Sequence, residues 1–342
     1  MSACCCVHFT AAGQGMLGGL SSGRVNLADL FQRAALDAVC RALFSLPADA
    51  AGAAGLPGLV REFLDGVGRL RLVDFLARGD SDFAFFIRDR HAFAARWFAA
   101  IDAVLKARLA LPPGQAGRDV VELLLTARDP EGDAALSPAE VREQVATLLA
   151  AGFETTARAM FWTVYLLSFD PAALAEVQAE LAAFPPASLR TPADLTRWPA
   201  LRRCFLEALR LYPTVPFLSR VALTPHRLGA LDIAPGTLVL VCPWIIHRHR
   251  RFWDEPDAFI PARWIGREEQ TGPNFLPFGA GPRVCLGAVF AQAEAMVLLG
   301  TLLAAFRPEL DDDRPVLPQV VLTTVPAPEP WFRLRPLAAQ VM

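Results

Sequence analysis

The chain has 342 residues, 54% of them hydrophobic and 20% charged, with a formal net charge of −2. This is a globular composition with ample material for a buried core, and one large domain is compatible with the length. The near-neutral balance gives no electrostatic basis for binding nucleic acid or an anionic membrane surface.

Residues 1–23 are rich in Gly, Ser, Ala and Cys without a sustained period, and they read as an irregular N-terminal segment. From Val25 to Phe44 apolar residues recur at helical spacing (Leu27, Leu30, Phe31, Ala34, Leu36, Val39, Leu43), with Asn26 as N-cap. After an Ala/Gly/Pro loop, helical patterns return over 59–78 and 82–111, and Pro112-Pro113-Gly114 breaks the chain. A short helix is expected over 118–128, then a turn at 129–133. Ser137-Pro138-Ala139-Glu140 places Ser at N-cap, Pro at N1 and Glu at N3, a capping box that opens a long helix to Phe169. Further helices are expected from Pro171 to Phe184 and from Leu201 to Leu211, the latter stopped by Pro213. Short strands follow at 217–223 and 237–242. Residues 247–284 are dense in Pro, Trp, Arg, Phe and Gly, with little periodicity. A last helix covers 286–306, and the tail from Pro315 reads as strands and turns. The fold class is mainly α with a minor β portion, and 24–342 read as a single domain.

Mean hydropathy is +0.33. The runs 159–169 and 295–306 are bounded by charged residues and fall short of the roughly 18 residues a spanning helix needs. Both read as buried helices, so no transmembrane segment is expected. No basic stretch followed by an apolar run marks a secretory signal. The seven cysteines are irregularly spaced, with no CxxC pair. That pattern indicates neither a zinc site nor a disulfide framework, and it fits a reducing cytoplasm.

One cysteine stands apart. Cys285 lies in Phe278-Gly279-Ala280-Gly281-Pro282-Arg283-Val284-Cys285-Leu286-Gly287. Three glycines permit tight backbone turns beside a bulky ligand. The sulfur sits just before an apolar helix, whose N-terminal amides favour thiolate over thiol. A metal-ligating cysteine needs that environment. In the long helix, Ala150-Ala151-Gly152-Phe153-Glu154-Thr155-Thr156 sets glycine beside hydroxyl residues. A local bend or widened turn is expected there, with Glu154 and Thr155 supplying a carboxylate and a hydroxyl for proton delivery. Glu207 and Arg210, three apart, share one helix face; by spacing alone such a pair is usually surface decoration.

The cysteine loop matches F-x-x-G-x-R-x-C-x-G at every fixed position, and so resembles the haem-binding loop of cytochromes P450. The segment 151–155 resembles that family's A-G-x-[DE]-T signature, Glu207–Arg210 its E-x-x-R pair, and Phe259-Ile260-Pro261-Ala262-Arg263-Trp264 its F-x-P-x-R-[FW] element. The resemblance implies haem b with Cys285 as axial thiolate and iron ligand. It assigns Thr155 and Glu154 to catalysis, Arg283 and Arg220 to the haem propionates, and Phe278, Gly279, Gly287, Ala151 and Gly152 to the haem's surroundings. Glu207, Arg210 and Arg263 form a structural triad in the family. Val215, Pro216, Phe217, Leu218 and Thr323 would line the substrate pocket.

The implied activity is monooxygenation of an apolar substrate, with electrons from NAD(P)H through a ferredoxin and its reductase or a similar donor. A monomeric, cytoplasmic protein is implied. Alternatives are a non-catalytic fragment with little or no haem, or a peroxide-driven peroxygenase. The helix at 24–45 resembles one lying well inside the family's domain. The expected architecture is therefore a partial P450 fold lacking the N-terminal strands and first helices, with a Trp/Arg propionate clamp absent from the front.

Overall fold

A computed structural model describes residues 3–18, 20, 23–53, 55–63, 66, 84–112, 119–129, 134–267 and 272–337. Ten helices can be numbered among the described residues: α1 (Ala3–Leu17), α2 (Leu27–Phe44), α3 (Leu56–Glu62), α4 (Ala84–Leu109), α5 (Val120–Thr126), α6 (Pro138–Leu167), α7 (Pro171–Ala183), α8 (Pro199–Leu211), α9 (Pro243–Ile246) and α10 (Ala288–Ala305). Nine short strands accompany them: β1 (Arg24–Asn26), β2 (Leu218–Val221), β3 (His226–Leu228), β4 (Leu231–Ile233), β5 (Leu238–Val241), β6 (Phe306–Leu310), β7 (Leu317–Val320), β8 (Thr324–Ala327) and β9 (Trp331–Pro336). The expected mainly helical architecture is present.

The helix α6 runs through the centre. Its capping box forms: the Ser137 hydroxyl accepts from Glu140 N–H, and the Glu140 carboxylate accepts from Ser137 N–H. The widened turn expected at Gly152 does not form. The helix stays α-helical throughout, and Thr155 and Thr156 donate back to the Ala151 and Gly152 carbonyls at 2.8 and 3.1 Å.

Against α6 lie α2, α8 and α10, and their buried faces share one hydrophobic core. As expected, Asn26 caps α2 by accepting from Asp29 N–H at 3.1 Å. By length and composition α10 could cross a bilayer, but α1, α6, α7 and α8 pack around it. It is a core helix here.

Residues 3–17 correct the expectation of an irregular N-terminal segment. They form α1, which packs on α10 and α2. The sequence conceals this because Gly13 and Gly15 lower helix propensity and the apolar residues do not gather on one stripe. Tertiary contact decides instead. Phe9 meets Phe290 edge to face at 4.9 Å. A Cβ on Gly13 would stand 2.9 Å from the Thr301 hydroxyl oxygen, so glycine is what lets the two helices approach.

Several strands also had no clear sequence signal. β1 and β6 flank β9 in a three-stranded antiparallel sheet, with Val25 opposite Phe332 and Pro308 opposite Leu334. β3 and β4 form a small hairpin. The expected strands at 217–223 and 237–242 pair as β2 and β5, with Ser219 opposite Leu240. The hairpin β7–β8 brings Thr323 and Thr324 back beside Pro213 and Thr214. The helix expected over 59–78 is seen only as far as the described residues reach, and the tip of the 129–133 turn lies outside them.

Candidate functional site

The irregular stretch 247–284 is held by one buried cluster. Glu207 and Arg210 on α8 are both fully buried and joined by two hydrogen bonds, 2.9 and 2.8 Å. Arg210 also donates to the carbonyls of His247, Pro256 and Ala258 at 2.9, 2.6 and 2.9 Å. From the irregular stretch, Arg263 Nε donates to Glu207 Oε1 at 2.9 Å, Ile260 N–H to the same oxygen at 3.0 Å, and Trp264 Nε1 to Oε2 at 2.9 Å. A fork-shaped guanidinium fits this task, since it can satisfy a carboxylate and several carbonyls at once. The three triad residues therefore meet. The Trp264 indole, legible in the F-x-P-x-R-[FW] element, is a fourth member that the motif reading did not single out.

His247 extends the support. It is fully buried, and its Nε2 accepts from Leu276 N–H at 2.8 Å, close to the start of the cysteine loop. Burial above all pushes its pKa down to about 4, and the nearby Arg210 guanidinium acts in the same direction. In the unfolded chain the imidazole titrates near 6.5. Between those values the unfolded state binds more protons, so folding stability is complete above about pH 6.5 and declines as pH falls toward 4. The loss amounts to about 3 kcal/mol. Denaturant titrations at pH 7 and pH 4.5 measure it. His247→Gln, which cannot titrate, is expected to flatten that part of the profile.

The neighbouring Arg248 lies 3.9 Å over the Trp244 ring and 5.6 Å from Tyr212, whose own ring stacks on Trp162 at 3.9 Å. Burial lowers its pKa to about 10, which leaves it cationic at neutral pH.

The cysteine loop turns through Gly279 and Gly281, whose φ angles of 74° and 73° lie in the left-handed region that favours glycine. Cys285 N–H donates to the Phe278 carbonyl at 2.8 Å and closes the loop. Gly287 is the N-cap of α10, and Cys285 stands just ahead of it. Its exposure sets Cys285 apart from Cys40 and Cys204. Burial pushes the Cys40 thiol up to about 12 and raises that of Cys204 as well, so both are inert.

Around Cys285 the surface is apolar and open: Val284 is 53% exposed, Leu286 90% and Val289 65%. Val215 is exposed, Pro216 buried, and Phe217 and Leu218 half-buried. Arg283 and Arg220 are exposed, and neither makes an ion pair among the described residues. A lone sulfur with no cluster of other His, Cys or acidic ligands among the described residues cannot by itself complete a metal's coordination. Such a donor set fits iron whose other ligands come from a macrocycle. An open apolar surface with exposed guanidinium groups fits a flat, anionic-edged porphyrin.

On α6 the expected residues divide between two faces. Ala151 and Thr155 lie on an accessible face, and the Thr155 hydroxyl retains its lone pairs while donating to Ala151 O. Gly152 is turned toward α2, where an added Cβ would come within 3.2 Å of Val39 Cγ2. It is a packing glycine. Glu154 points inward as well. It is 3% exposed, accepts from Gln32 Nε2 at 2.5 Å, and pairs with Arg158 Nε at 2.7 Å. Arg158 continues to Glu329, which accepts from Asn26. Sequence spacing placed Glu154 beside the Thr155 hydroxyl, whereas the fold gives it to a buried network tying α6 to α2, β1 and the C-terminal strands. Neighbours on a helix differ by about 100°, so adjacent residues rarely share a face. Thr323 is buried, and its hydroxyl oxygen has no hydrogen-bond partner among the described residues.

Comparison with known proteins agrees with this geometry. The cyclooctatin synthase of Streptomyces melanosporofaciens is 34% identical over 252 residues, which is 73% of this chain and 53% of that protein. The pentalenene oxygenase of Streptomyces avermitilis is 32% identical over 219 residues, 64% of this chain and 48% of the relative. The chain thus spans about half the length of these curated relatives. The crystal structure of the cytochrome P450DA heme domain superposes with a TM-score of 0.80 at 27% identity, over 97% of this chain and 72% of that one. The sequence profile of the cytochrome P450 family matches residues 17–330, and the chain belongs to that family.

Proposed function

We propose that the chain is a haem-thiolate monooxygenase acting on an apolar organic substrate. The observation that carries this is the exposed Cys285 on a glycine-turned loop at the head of an apolar helix. A bound haem b would supply dioxygen activation, with one oxygen atom entering the substrate and the other leaving as water. Cys285 would hold the iron through its sulfur. Arg283 and Arg220 are cations free to meet the propionates, and Phe278, Gly279 and Gly287 shape the floor. Thr155, on the accessible face of α6, can accept and pass on a proton. Glu154 is a positioning residue in this reading, because its carboxylate is engaged by Arg158 and Gln32. Val215, Pro216, Phe217, Leu218 and Thr323 would border the substrate. Electrons would come from NAD(P)H through a separate ferredoxin-type donor, and a monomeric, cytoplasmic protein is part of the same proposal.

The test is the carbon monoxide difference spectrum of the reduced, purified 342-residue chain. A strongly red-shifted band supports the reading, and no band sinks it. A second reading, a chain that holds haem weakly or not at all, is favoured by the 90% exposure of Leu286 beside the sulfur. The same spectrum separates the two. For Thr155→Ala we expect product per NAD(P)H consumed to fall about tenfold or more with the carbon monoxide band intact. Unchanged coupling would remove Thr155 from the chemistry.

A further inference from the structure

The sheet of β1, β9 and β6 turns Phe332 and Leu334 into the core and leaves Arg24, Arg307, Arg333 and Arg335 in solvent. The register brings those cations together. Arg24 stands opposite Arg333, and Arg335 stands opposite Arg307. Residues directly opposite in an antiparallel pair share a face, and like charges placed there repel. Every second residue of a strand points the same way, so Arg333 and Arg335 lie on that face together.

The carboxylates do not match this charge. Glu309 is the only acid on the three strands, and it pairs with Arg335 at 2.5 Å. Asp311, just past the end of β6, pairs with Arg24 at 2.8 Å and with Arg333 at 3.1 Å. Arg307, at the other end of β6, has no ion-pair partner among the described residues. Asp312, Asp313 and Arg314 follow Asp311, and Asp312 answers Arg314 at 2.6 Å. Positive charge is therefore in excess at the end of the sheet where Arg335 faces Arg307.

A cleft opens at that end. β1 stops at Arg24, whereas β9 runs on to Pro336. Just outside β1, the Gly23 carbonyl still accepts from Leu334 N–H at 3.4 Å. The notch measures about 420 Å³ and is lined by Gly23, Arg24, Arg333, Leu334, Arg335 and Pro336. Small-ligand sites span roughly 300–1,000 Å³. The side chains of the three lining arginines are each more than half exposed. Exposed ion pairs of this kind are screened and weak, so they exchange readily for a better anion. Planar guanidinium forks match phosphate oxygens two at a time. A monovalent anion gains nothing over the carboxylates already present. A diphosphate carries more charge and can engage several forks at once.

We propose that this notch binds the diphosphate group of a small anion. Arg24, Arg333 and Arg335 contact it, and Arg307 adds to the field that holds it. The site shares no residue with the cysteine loop or with the face of α6 that carries Thr155, and it does not rest on the monooxygenase reading.

The test uses the whole chain and needs no bound cofactor. Calorimetric titrations at matched ionic strength compare inorganic pyrophosphate, inorganic phosphate and ADP. Pyrophosphate should bind about tenfold or more tightly than phosphate, and added salt should weaken it steeply. Arg335→Gln and Arg333→Gln should each weaken it about tenfold. Both side chains are exposed, so both variants should fold, and either one suffices. Arg128→Gln removes the same charge from an exposed position outside the sheet and should stay within about twofold of wild type. Arg307→Gln should weaken binding about threefold and raise the denaturant midpoint of the ligand-free chain, because it relieves the repulsion across the strands. ADP binding as tightly as pyrophosphate assigns the site to the diphosphate group itself, and tighter ADP binding assigns it to a nucleoside diphosphate. The proposal is overturned if millimolar pyrophosphate gives no binding, if phosphate binds equally well, or if Arg128→Gln weakens binding as much as Arg335→Gln.

Discussion

Arg210→Ala is expected to cost about 3–5 kcal/mol of folding stability, the range for removing one partner of a buried ion pair. The guanidinium is fully buried and serves five acceptors: both oxygens of Glu207 and the carbonyls of His247, Pro256 and Ala258. Removing it strips Glu207 of its bidentate partner and leaves three carbonyls without their donor. Domains of this kind have about 5–15 kcal/mol in total, so the loss is a large share. It falls on the segment that leads into the cysteine loop, so haem uptake should fail along with stability. Arg210→Lys keeps the charge but cannot fork, and should recover less than half the loss. The denaturant midpoint and slope measure both variants. If Arg210→Ala came within about 1 kcal/mol of wild type, the cluster would be decoration rather than support.

Cys285→Ser is expected to eliminate the red-shifted carbon monoxide band and to lower monooxygenase turnover by at least two orders of magnitude, because a neutral hydroxyl donates far less electron density than a thiolate. The fold should survive. Cys285 is exposed, and the bond that closes the loop comes from its backbone N–H to Phe278 O rather than from its sulfur. Stability within about 0.5 kcal/mol of wild type is therefore expected. A variant with an unaltered spectrum would show that the iron is held elsewhere. The two substitutions act oppositely: one destroys the scaffold and leaves the sulfur, the other removes the sulfur and leaves the scaffold. Comparing them separates support from ligation.

Much of the candidate site was legible before any coordinates. Cys285, its glycines and Arg283 lie within ten consecutive residues, so local spacing carries the loop. The pairing of Glu207 with Arg210 follows from helical geometry, and the Ser137–Glu140 box needs only four residues. What the sequence did not reveal depends on distant partners. Glu154 and Thr155 are adjacent in the chain, yet Glu154 turns to Gln32, 122 residues away, while Arg158 reaches Glu329 across 171 residues. Gly152 read as a residue making room beside a ligand, and the fold uses it to seat Val39.

By itself, then, the sequence determined the helical class, because propensity and periodicity act over short spacings, while the cysteine loop and the Glu207–Arg210–Arg263 triad were legible through the resemblance of their motifs to a known family. Only the tertiary structure decided that residues 3–17 become helix α1 and that Glu154 faces the interior. Those outcomes depend on which distant side chain fills a given face. Burial, desolvation and close packing arise when the helices meet, and no local pattern records them.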